Sequence, residues 1–437
     1  MHLSNSTRGS LGLLLAAAAA FLVPCPARAE GAPGQRPAVA RCSSETATLL
    51  RREAPDKPWQ VVKEKEDLAA GDALMSGTEG VIDSQNGAVR LSIVGDMDAK
   101  SPLPVLETVL VLHEPKDADL TLTLQRGRIE LANRKDKGAA VVRVRMGDRE
   151  GELILKEPGS RASLQLLGRC PPGCHFTRDA KTSTPPDLAV LLLVLEGEAT
   201  VHGKERSYEL KAPPGPALVF VDSLGDHVPA VQHLDKLPAW ASREVTSERG
   251  KKMREVMARF RKSAQSKPAA EVVADLMKSS DVTEKCCALC LLAATDQLDE
   301  FGQVLATSTE PEVWETAVLV LRHWLGREPG QDQRLYERLV KVKGFKPREA
   351  ESIVQFLHSF SDDDLKRPDT YELLIDYLES ERPGLRFLAY WHLSRLVPEG
   401  KKIGYNPFGT KEERAKAVAE WRKVIPAGQL PGKFEGK

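Results

Sequence analysis

The residues Leu188-Ala189-Val190-Leu191-Leu192-Leu193-Val194-Leu195 form an unbroken apolar run that ends at Glu196-Gly197-Glu198. A run of about eight residues has the typical length of a strand and is short for a helix. A strand without polar positions is buried on both of its faces. The run therefore predicts a central strand of a β-sheet, and Gly197 predicts a turn directly after it.

The sequence around this run alternates between apolar and polar residues from Thr46 to about Val221. The alternation is clearest at residues 88–93, 120–124 and 141–145. Turn-forming pairs lie between such runs, at Gly71-Asp72, Gly127-Arg128 and Pro158-Gly159. A period of two places one face of each strand on a core and the other in water. We therefore predict an all-β domain over residues 45–240.

The pattern changes to a helical period after about Ser247. Residues 241–266 are rich in charge and predict a solvated linker helix, with Arg243 to Lys262 as its basic strip. Beyond Pro268 a helix, a short turn and a second helix recur. The second helices begin at Val282, Val313, Ala350 and Leu385, in steps of 31, 37 and 35 residues.

Steps of this size match a solenoid of helix pairs. Each second helix carries a small or apolar residue four positions after its start, at Cys286, Ala317, Val354 and Ala389. Such residues let neighbouring helices pack closely. We predict an all-α solenoid over residues 267–425 and a disordered tail over 426–437; a single amphipathic bundle is the alternative.

The N-terminus has the pattern of a secretory signal peptide. Arg8 precedes an apolar run from Leu11 to Val23, and Ala27-Arg28-Ala29 fits a cleavage site before Glu30. We therefore predict a signal peptide over residues 1–29, a flexible segment over 30–44 and a location in the periplasm or outside the cell. A lipid-modified Cys25 is the alternative, because Leu22-Val23-Pro24-Cys25 weakly matches a lipoprotein box.

Composition argues against several classes of partner and activity. Lys plus Arg and Asp plus Glu are equal at 62 each, so no net charge attracts nucleic acid or a membrane surface. No Walker loop, G-x-S-x-G, H-E-x-x-H or G-x-G-x-x-G motif is present. We therefore predict a protein that is not an enzyme and that uses no cofactor.

The β half resembles the FecR-like domain of bacterial envelope proteins. The resemblance rests on Trp59 followed by Leu68-x-x-Gly71-Asp72-x-Leu74, on the strands near residues 89–93 and 120–131, and on Val194 to Val201 with the later Pro213-Pro214-Gly215. It covers residues 45–222 and implies a periplasmic domain that relays a signal or binds envelope components. Signalling members carry a cytoplasmic anti-sigma segment and a membrane helix before this domain, whereas here a cleavable signal stands in their place.

The helical half resembles HEAT-type repeats. Its last 40 residues or so contain Ile403-Gly404-Tyr405-Asn406-Pro407 and Arg414-x-x-Ala417-x-x-x-Trp421-Arg422. Similar endings close the helical repeats of exported proteins from planctomycete-like bacteria. This resemblance implies a concave surface that binds a protein partner.

Six cysteines follow Cys25, at positions 42, 170, 174, 286, 287 and 290. Cys170-Pro171-Pro172-Gly173-Cys174 spans a predicted hairpin turn, so we predict a local disulfide between Cys170 and Cys174. With His175, the segment also forms a stretched version of the C-x-x-C-H haem-attachment motif, which is the alternative.

Cysteines 286, 287 and 290 fall in one predicted helix. Cys286 and Cys290 share its apolar face and predict core positions. Cys287 and Cys290 form a C-x-x-C pair, but they lie beyond the helix N-terminus that a redox pair needs to lower its thiol pKa. A zinc site would also need a fourth ligand and a second knuckle, and the sequence shows neither.

Histidine and aspartate clusters carry no metal prediction. His227 and His233 lie near Asp222 and Asp226 and are interpreted as exposed linker residues. The remaining candidates are interpreted as structure: His323, His358 and His392 at the edge of the helical core, and Asp362-Asp363-Asp364 as a helix cap and solvated turn.

Together these patterns predict an exported, non-catalytic envelope scaffold or sensor. Its β domain would dock a cell-surface component, and its helical repeats would bind an envelope protein. The alternative is a carbohydrate- or cell-wall-binding accessory module, or a non-catalytic subunit of an exported enzyme. Trp59 and Tyr208 are the only Trp and Tyr residues between positions 45 and 222, which leaves few rings for sugar stacking.

Overall fold

The computed structural model of the chain describes residues 36–44, 48–96, 106–147, 149–171, 173–179, 181–203, 206–222 and 230–432. The predicted signal peptide, its cleavage site at Ala29 and Glu30, and Cys25 lie outside the described residues. In the described part, an N-terminal β-rich region precedes a C-terminal helical region, which confirms that division of the chain.

Sixteen strands form the β-rich region among the described residues. They are β1 Ala38–Cys42, β2 Leu50–Arg52, β3 Gln60–Val61, β4 Asp67–Ala69, β5 Ala73–Ser76, β6 Glu79–Ser84, β7 Val89–Val94, β8 Thr108–His113, β9 Leu120–Asn133, β10 Ala140–Met146, β11 Arg149–Leu155, β12 Arg161–Arg169, β13 Asp187–His202, β14 Ser207–Ala212, β15 Ala217–Asp222 and β16 Gln232–His233. Strand pairing is antiparallel except between β9 and β10 within this part of the chain.

The first strand lies where the sequence predicts a flexible segment. β1 pairs with β4 on one side and with β6 on the other, and its Val39, Ala40 and Cys42 are buried. Its five residues give a weak pattern of their own. Pairing with two neighbouring strands therefore decides the conformation of this segment.

The strands of the β-rich region form two sheets, and two long strands take part in both. The first half of β9 pairs with β8 and β10, and its second half pairs with β7 and β12. In the same way β13 pairs first with β12 and β15 and then with β11 and β14. The predicted central strand is the first half of β13, where residues 189–194 are all buried.

Gly127 and Gly197 stand at the bends of these two strands, with φ of 99° and 72°. The sequence predicts turns between strands at both positions, and this prediction is wrong. A glycine with positive φ redirects the backbone without a Cβ clash, so the strand changes sheets and continues its ladder. The two sheets consequently share one hydrophobic core.

Ten α-helices follow in the described residues. They are α1 Glu248–Ala264, α2 Ala269–Met277, α3 Val282–Ala294, α4 Leu298–Thr307, α5 Pro311–Leu325, α6 Gln331–Lys341, α7 Pro347–His358, α8 Pro368–Tyr377, α9 Pro383–Leu396 and α10 Lys411–Val424. Proline occupies the first turn of α5, α7, α8 and α9, where its missing N–H costs no hydrogen bond.

The odd-numbered helices α3, α5, α7 and α9 pack successively on one another, and each contacts its preceding even-numbered helix. These four contain the predicted second-helix positions. Cys286, Ala317, Val354 and Ala389 are all buried, with at most 2% of each residue exposed. Small and β-branched side chains at these points allow the helix axes to approach closely.

Helix α1 is not the solvated linker that its charge predicts. Its Met253, Val256, Met257 and Phe260 are buried in a core that also contains Leu50 of β2. Thr48 Oγ1 donates a hydrogen bond of 3.1 Å to the carbonyl oxygen of Met257. The charged residues on the outer face of α1 make the segment polar on average, so its composition does not reveal the apolar stripe.

The described residues from Pro37 onward form one compact unit. Gly168 of β12 and Gly326 after α5 approach so closely that a Cβ on either would overlap the other's backbone. The β12–β13 loop also reaches the helices, where the Phe176 amide donates to Gln355 Oε1 at 3.0 Å. In the part of the chain that the structure describes, no helix has both the length and the apolar character needed to cross a bilayer.

Candidate ligand-binding groove

A groove of about 580 Å³ lies where the first strands meet the first helices. One wall is formed by β2, β3 and the segment between them, and the other by the end of α1 and the start of α2. Ligand sites of small molecules usually have volumes of roughly 300–1,000 Å³. The groove is therefore large enough for a small ligand.

The strand wall is organised around Trp59. Antiparallel pairing of β2 with β3 sets Leu50 opposite Val61 and brings Trp59 back beside Arg52. The Arg52 guanidinium lies over the Trp59 ring, 4.8 Å from its centroid, in a cation–π contact. The indole N–H is buried and has no hydrogen-bond acceptor among the described residues.

The helix wall follows from a break in the helical pattern. Helix α1 ends at Ala264, and α2 begins directly after Pro268. Proline has no N–H, so Pro268 cannot continue the hydrogen bonding of α1. Phe260 and Val273 from the two helices are buried and line the groove. These two side chains form the apolar floor of the groove.

All four charged side chains among the described groove-lining residues are cationic: Arg52, Lys57, Lys63 and Lys267. Lys57 lies 3.8 Å from Asp56 and Lys267 lies 3.4 Å from Asp275, in exposed pairs that contribute little energy. Arg52 and Lys63 have no ion-pair partner in the described part of the chain. The groove is thus an apolar floor with a cationic rim.

A buried ionic cluster centred on Glu107 holds the strands to the helices. Arg126 Nε donates to Glu107 Oε1 at 2.7 Å, and the Arg327 guanidinium pairs with the same oxygen. The two arginines also donate to the carbonyl oxygens of Ala294 and Ala293 at 2.9 and 2.7 Å. The end of α3 is consequently tied to the β-rich region.

The charges in this cluster persist at neutral pH. Burial raises the pKa of the Glu107 carboxyl, but Arg327 and Arg126 outweigh burial and bring it to about 2. Burial lowers the pKa of Arg327 to about 10, which leaves it protonated. The neighbouring His323, whose Nδ1 lies 3.9 Å from Glu107, has a pKa lowered by burial to about 4 and is neutral.

The cysteines predicted to form a disulfide are free thiols in the structure. Cys170 follows β12 and Cys174 is buried against the helices, where its carbonyl oxygen accepts from Gln355 Nε2 at 3.2 Å. Burial raises the pKa of Cys170 to about 12. The disulfide between them stays a prediction, and His175 beside them is exposed.

The three cysteines of α3 are free and buried, with 1%, 0% and 7% of Cys286, Cys287 and Cys290 exposed. Burial raises the pKa of all three thiols, for Cys287 to about 12. Protonated, inaccessible thiols pack as small apolar side chains.

The histidines predicted at the core edge lie within the core instead. His323, His358 and His392 are all buried, and each has a polar neighbour on another segment of the chain. His358 Nε2 lies 3.5 Å from Asp332, and His392 Nε2 donates to the Phe356 carbonyl oxygen at 2.7 Å. A buried imidazole needs such a partner, which a helical period does not reveal.

The aspartate clusters remain apart from the groove. Asp364 accepts hydrogen bonds from the Ser361 amide at 3.0 Å and from its hydroxyl, which closes a local turn. His233 is exposed in β16, whereas His227 and Asp226 lie outside the described residues, as does the side chain of Asp222. No group of three metal-ligating side chains occurs within the described ranges.

Sequence reasoning identified Trp59 but missed the cations around it. Lys57 and Lys63 flank β3 and Lys267 precedes α2, more than 200 positions later in the chain. Comparisons of the chain with family models, with curated proteins and with solved structures find no match.

Proposed function

We propose that this chain is an exported, non-catalytic envelope scaffold or sensor whose ligand site is the groove between the strands and the helices. The observation that carries the proposal is the cationic rim above an apolar floor, to which both regions contribute. A ligand there contacts β3 and α2 together. Ligand occupancy would therefore favour the docked arrangement of the two regions.

The family assignments belong to the same proposal. A FecR-like identity is supported by a β-rich region that contains each of the quoted segments in strands and turns. A HEAT-like identity is supported by the successive packing of α3, α5, α7 and α9. A protein-binding role of the helices follows from that resemblance.

A carbohydrate-binding accessory role is the second candidate, because polar amides line the groove together with Trp59. Gln60, Gln265 and Gln297 line the groove together with Trp59. An aromatic face with nearby amide groups suits a sugar ring and its hydroxyls.

The test uses the full chain and thermal unfolding in the presence of bacterial envelope fractions. Lipid, soluble glycan and protein fractions are added separately to wild type and to Ala270→Trp. Ala270 is exposed on the helix wall, so the indole would fill the groove without a change of charge. Ala419→Trp, on the exposed face of α10, is the matched control.

A ligand at 100 times its Kd stabilises the native state by about 2.7 kcal/mol. We expect one fraction to raise the unfolding temperature of wild type and Ala419→Trp by several degrees, with no rise for Ala270→Trp. Stabilisation by the glycan fraction alone would select the carbohydrate role. If no fraction stabilises wild type, or if Ala270→Trp responds equally, the groove is not the ligand site.

A further inference from the structure

We propose that the groove binds an amphiphilic anion, a small molecule with a phosphate or carboxylate head and an apolar body. This inference rests on the proposed ligand site and specifies its chemistry. It follows from two properties of the same surface, the sign of the rim charges and the apolar floor.

The head group is specified by the rim. Arg52 and Lys63 lack ion-pair partners in the described part of the chain, and no described lining residue supplies a carboxylate. A bound anion would pair with these cations and so gain energy that a neutral head group would not. The start of α2 adds to this preference, because Ala269 and Ala270 line the groove and no side chain caps the helix.

The body is specified by the floor. Pro58, Trp59, Val61, Pro268 and Ala270 are partly or fully exposed and present apolar surface to the same space, above the buried Phe260 and Val273. A purely ionic ligand such as inorganic phosphate would leave that surface in water. An alkyl or aromatic body would bury it, and each buried CH₂ group should tighten binding about fourfold.

Extended polyanions fit this surface less well. Nucleic acid binding on a single strand uses several stacking aromatic residues along a basic track. Here Trp59 and Phe260 are the aromatic residues among the described lining residues; Phe260 is buried, and Arg52 already covers one face of Trp59. The short groove therefore favours a small ligand.

Calorimetric titration of the full chain tests the inference with three probes below their aggregation limits. Octyl phosphate carries both properties, 1-octanol carries only the body and inorganic phosphate only the head. We expect octyl phosphate to bind at least tenfold more tightly than either partial probe, and to weaken as salt is raised. Equal affinity for octanol or for inorganic phosphate would overturn the inference.

Two pairs of variants locate the interaction. Lys57→Gln with Lys63→Gln removes two rim charges, and Lys137→Gln with Lys402→Gln removes two exposed charges elsewhere. We expect the first double variant to bind octyl phosphate at least tenfold more weakly and the second to bind like wild type. Equal loss in both would mean that net charge, and not the groove, attracts the anion.

Ala270→Trp and a vesicle experiment complete the test. Ala270→Trp should abolish octyl phosphate binding. Co-sedimentation with phosphatidylglycerol vesicles, but not with phosphatidylcholine vesicles, would identify a lipid as the source of the anion, whereas solution binding alone identifies a free amphiphile. If octyl phosphate fails while an envelope fraction still stabilises wild type through the groove, the amphiphilic anion is wrong and the ligand site stands.

Discussion

Glu107 and Arg327 form a buried ion pair although they lie 220 positions apart in the chain. Glu107 directly precedes β8, and Arg327 follows the end of α5. Only 5% of the Glu107 side chain and 6% of the Arg327 side chain are exposed. Each desolvated charge depends on the other for compensation. The pair therefore couples the stability of the β-rich region to that of the helices.

Glu107→Gln should destabilise the protein strongly. The amide keeps the shape of the side chain but leaves the buried Arg126 without a carboxylate and leaves Arg327 only the exposed Asp296, 3.7 Å away. Removing one partner of a buried pair costs about 3–5 kcal/mol. Urea unfolding followed by circular dichroism would measure this loss.

Glu150→Gln is the matched control for that measurement. Glu150 pairs with Arg145 at 3.2 Å, but about half of each side chain is exposed, so the pair contributes little. We expect a change below about 1 kcal/mol. Similar losses in both variants would show that burial does not set the value of the Glu107 pair.

Stability should fall as the pH is lowered from about 6.5 towards 4. Burial lowers the pKa of His323 and of His392 to about 4, whereas an imidazole in the unfolded chain titrates near 6.5. Between these values the unfolded state binds more protons, so acid favours unfolding. We expect the free energy of unfolding to be lower at pH 5 than at pH 7 by on the order of 3 kcal/mol.

His392→Gln separates this effect from general acid sensitivity. Its amide can still donate to the Phe356 carbonyl oxygen but does not titrate. The variant should lose roughly half of the pH 5 to pH 7 difference and keep the part that His323 contributes. The Glu107 carboxyl also lowers the free energy of unfolding as the pH falls, but at lower pH. Its stabilising contribution is complete above its ordinary pKa of 4.5 and disappears as the pH falls through about 2. An unfolding free energy independent of pH between 7 and 5 would contradict the neutral, buried imidazoles.

Gly127→Ala should cost more than its backbone strain alone. A Cβ at this bend would overlap Thr108 of β8, in addition to occupying a φ of 99°. Strain costs about 1–2 kcal/mol and overpacking about 1–3 kcal/mol. We expect a total loss of roughly 2–5 kcal/mol in urea unfolding.

Gly138→Ala provides the comparison because its φ is 82° and nothing lies within 4 Å of the added Cβ. It should show the strain component alone, about 1–2 kcal/mol. Equal costs for the two variants would mean that β8 yields to the added methyl group.

The thiols of α3 should not react in the native protein. Cys286, Cys287 and Cys290 are buried and their pKa values are raised by burial, so a disulfide reagent at pH 8 finds no accessible thiolate. Peptide mapping should find them labelled only after unfolding in urea. Ser263→Cys, on the exposed face of α1, should label in the native state and calibrates the assay. Native labelling of Cys287 would contradict its place in the core.

Sequence patterns predicted elements better than bends and charges. The run at 188–195 identified the first half of β13, and the helical period identified α3, α5, α7 and α9. Gly127 and Gly197 were mistaken for turns because a glycine in a sheet-crossing strand and one in a loop look identical in one dimension. β1 was missed because its order comes from pairing with β4 and β6.

The candidate site was harder to predict, for a related reason. Trp59 and Lys267 reach the same groove only because α1 packs on β2 through its buried stripe. That packing is a tertiary contact between distant segments, and the charge pattern of α1 favoured a solvated linker. The buried Glu107 cluster was likewise invisible, since its members are spread from position 107 to position 327.

The sheet-to-helix contacts also set an order of events during synthesis. Glu107 pairs with Arg327, and Arg178 of the β12–β13 loop pairs with Glu351 at 2.6 Å. In both pairs the second residue is synthesised long after the first. When the ribosome has finished the last strand, these groups still lack partners that are about 100 residues from being made. Leu50, Met75 and Val109 of the β-rich region also share a core with residues of α1, α2, α3 and α5, so their apolar surface stays exposed until those helices have emerged. A holding chaperone at that stage would have a physical task, and a translation product that stops near residue 300 should aggregate.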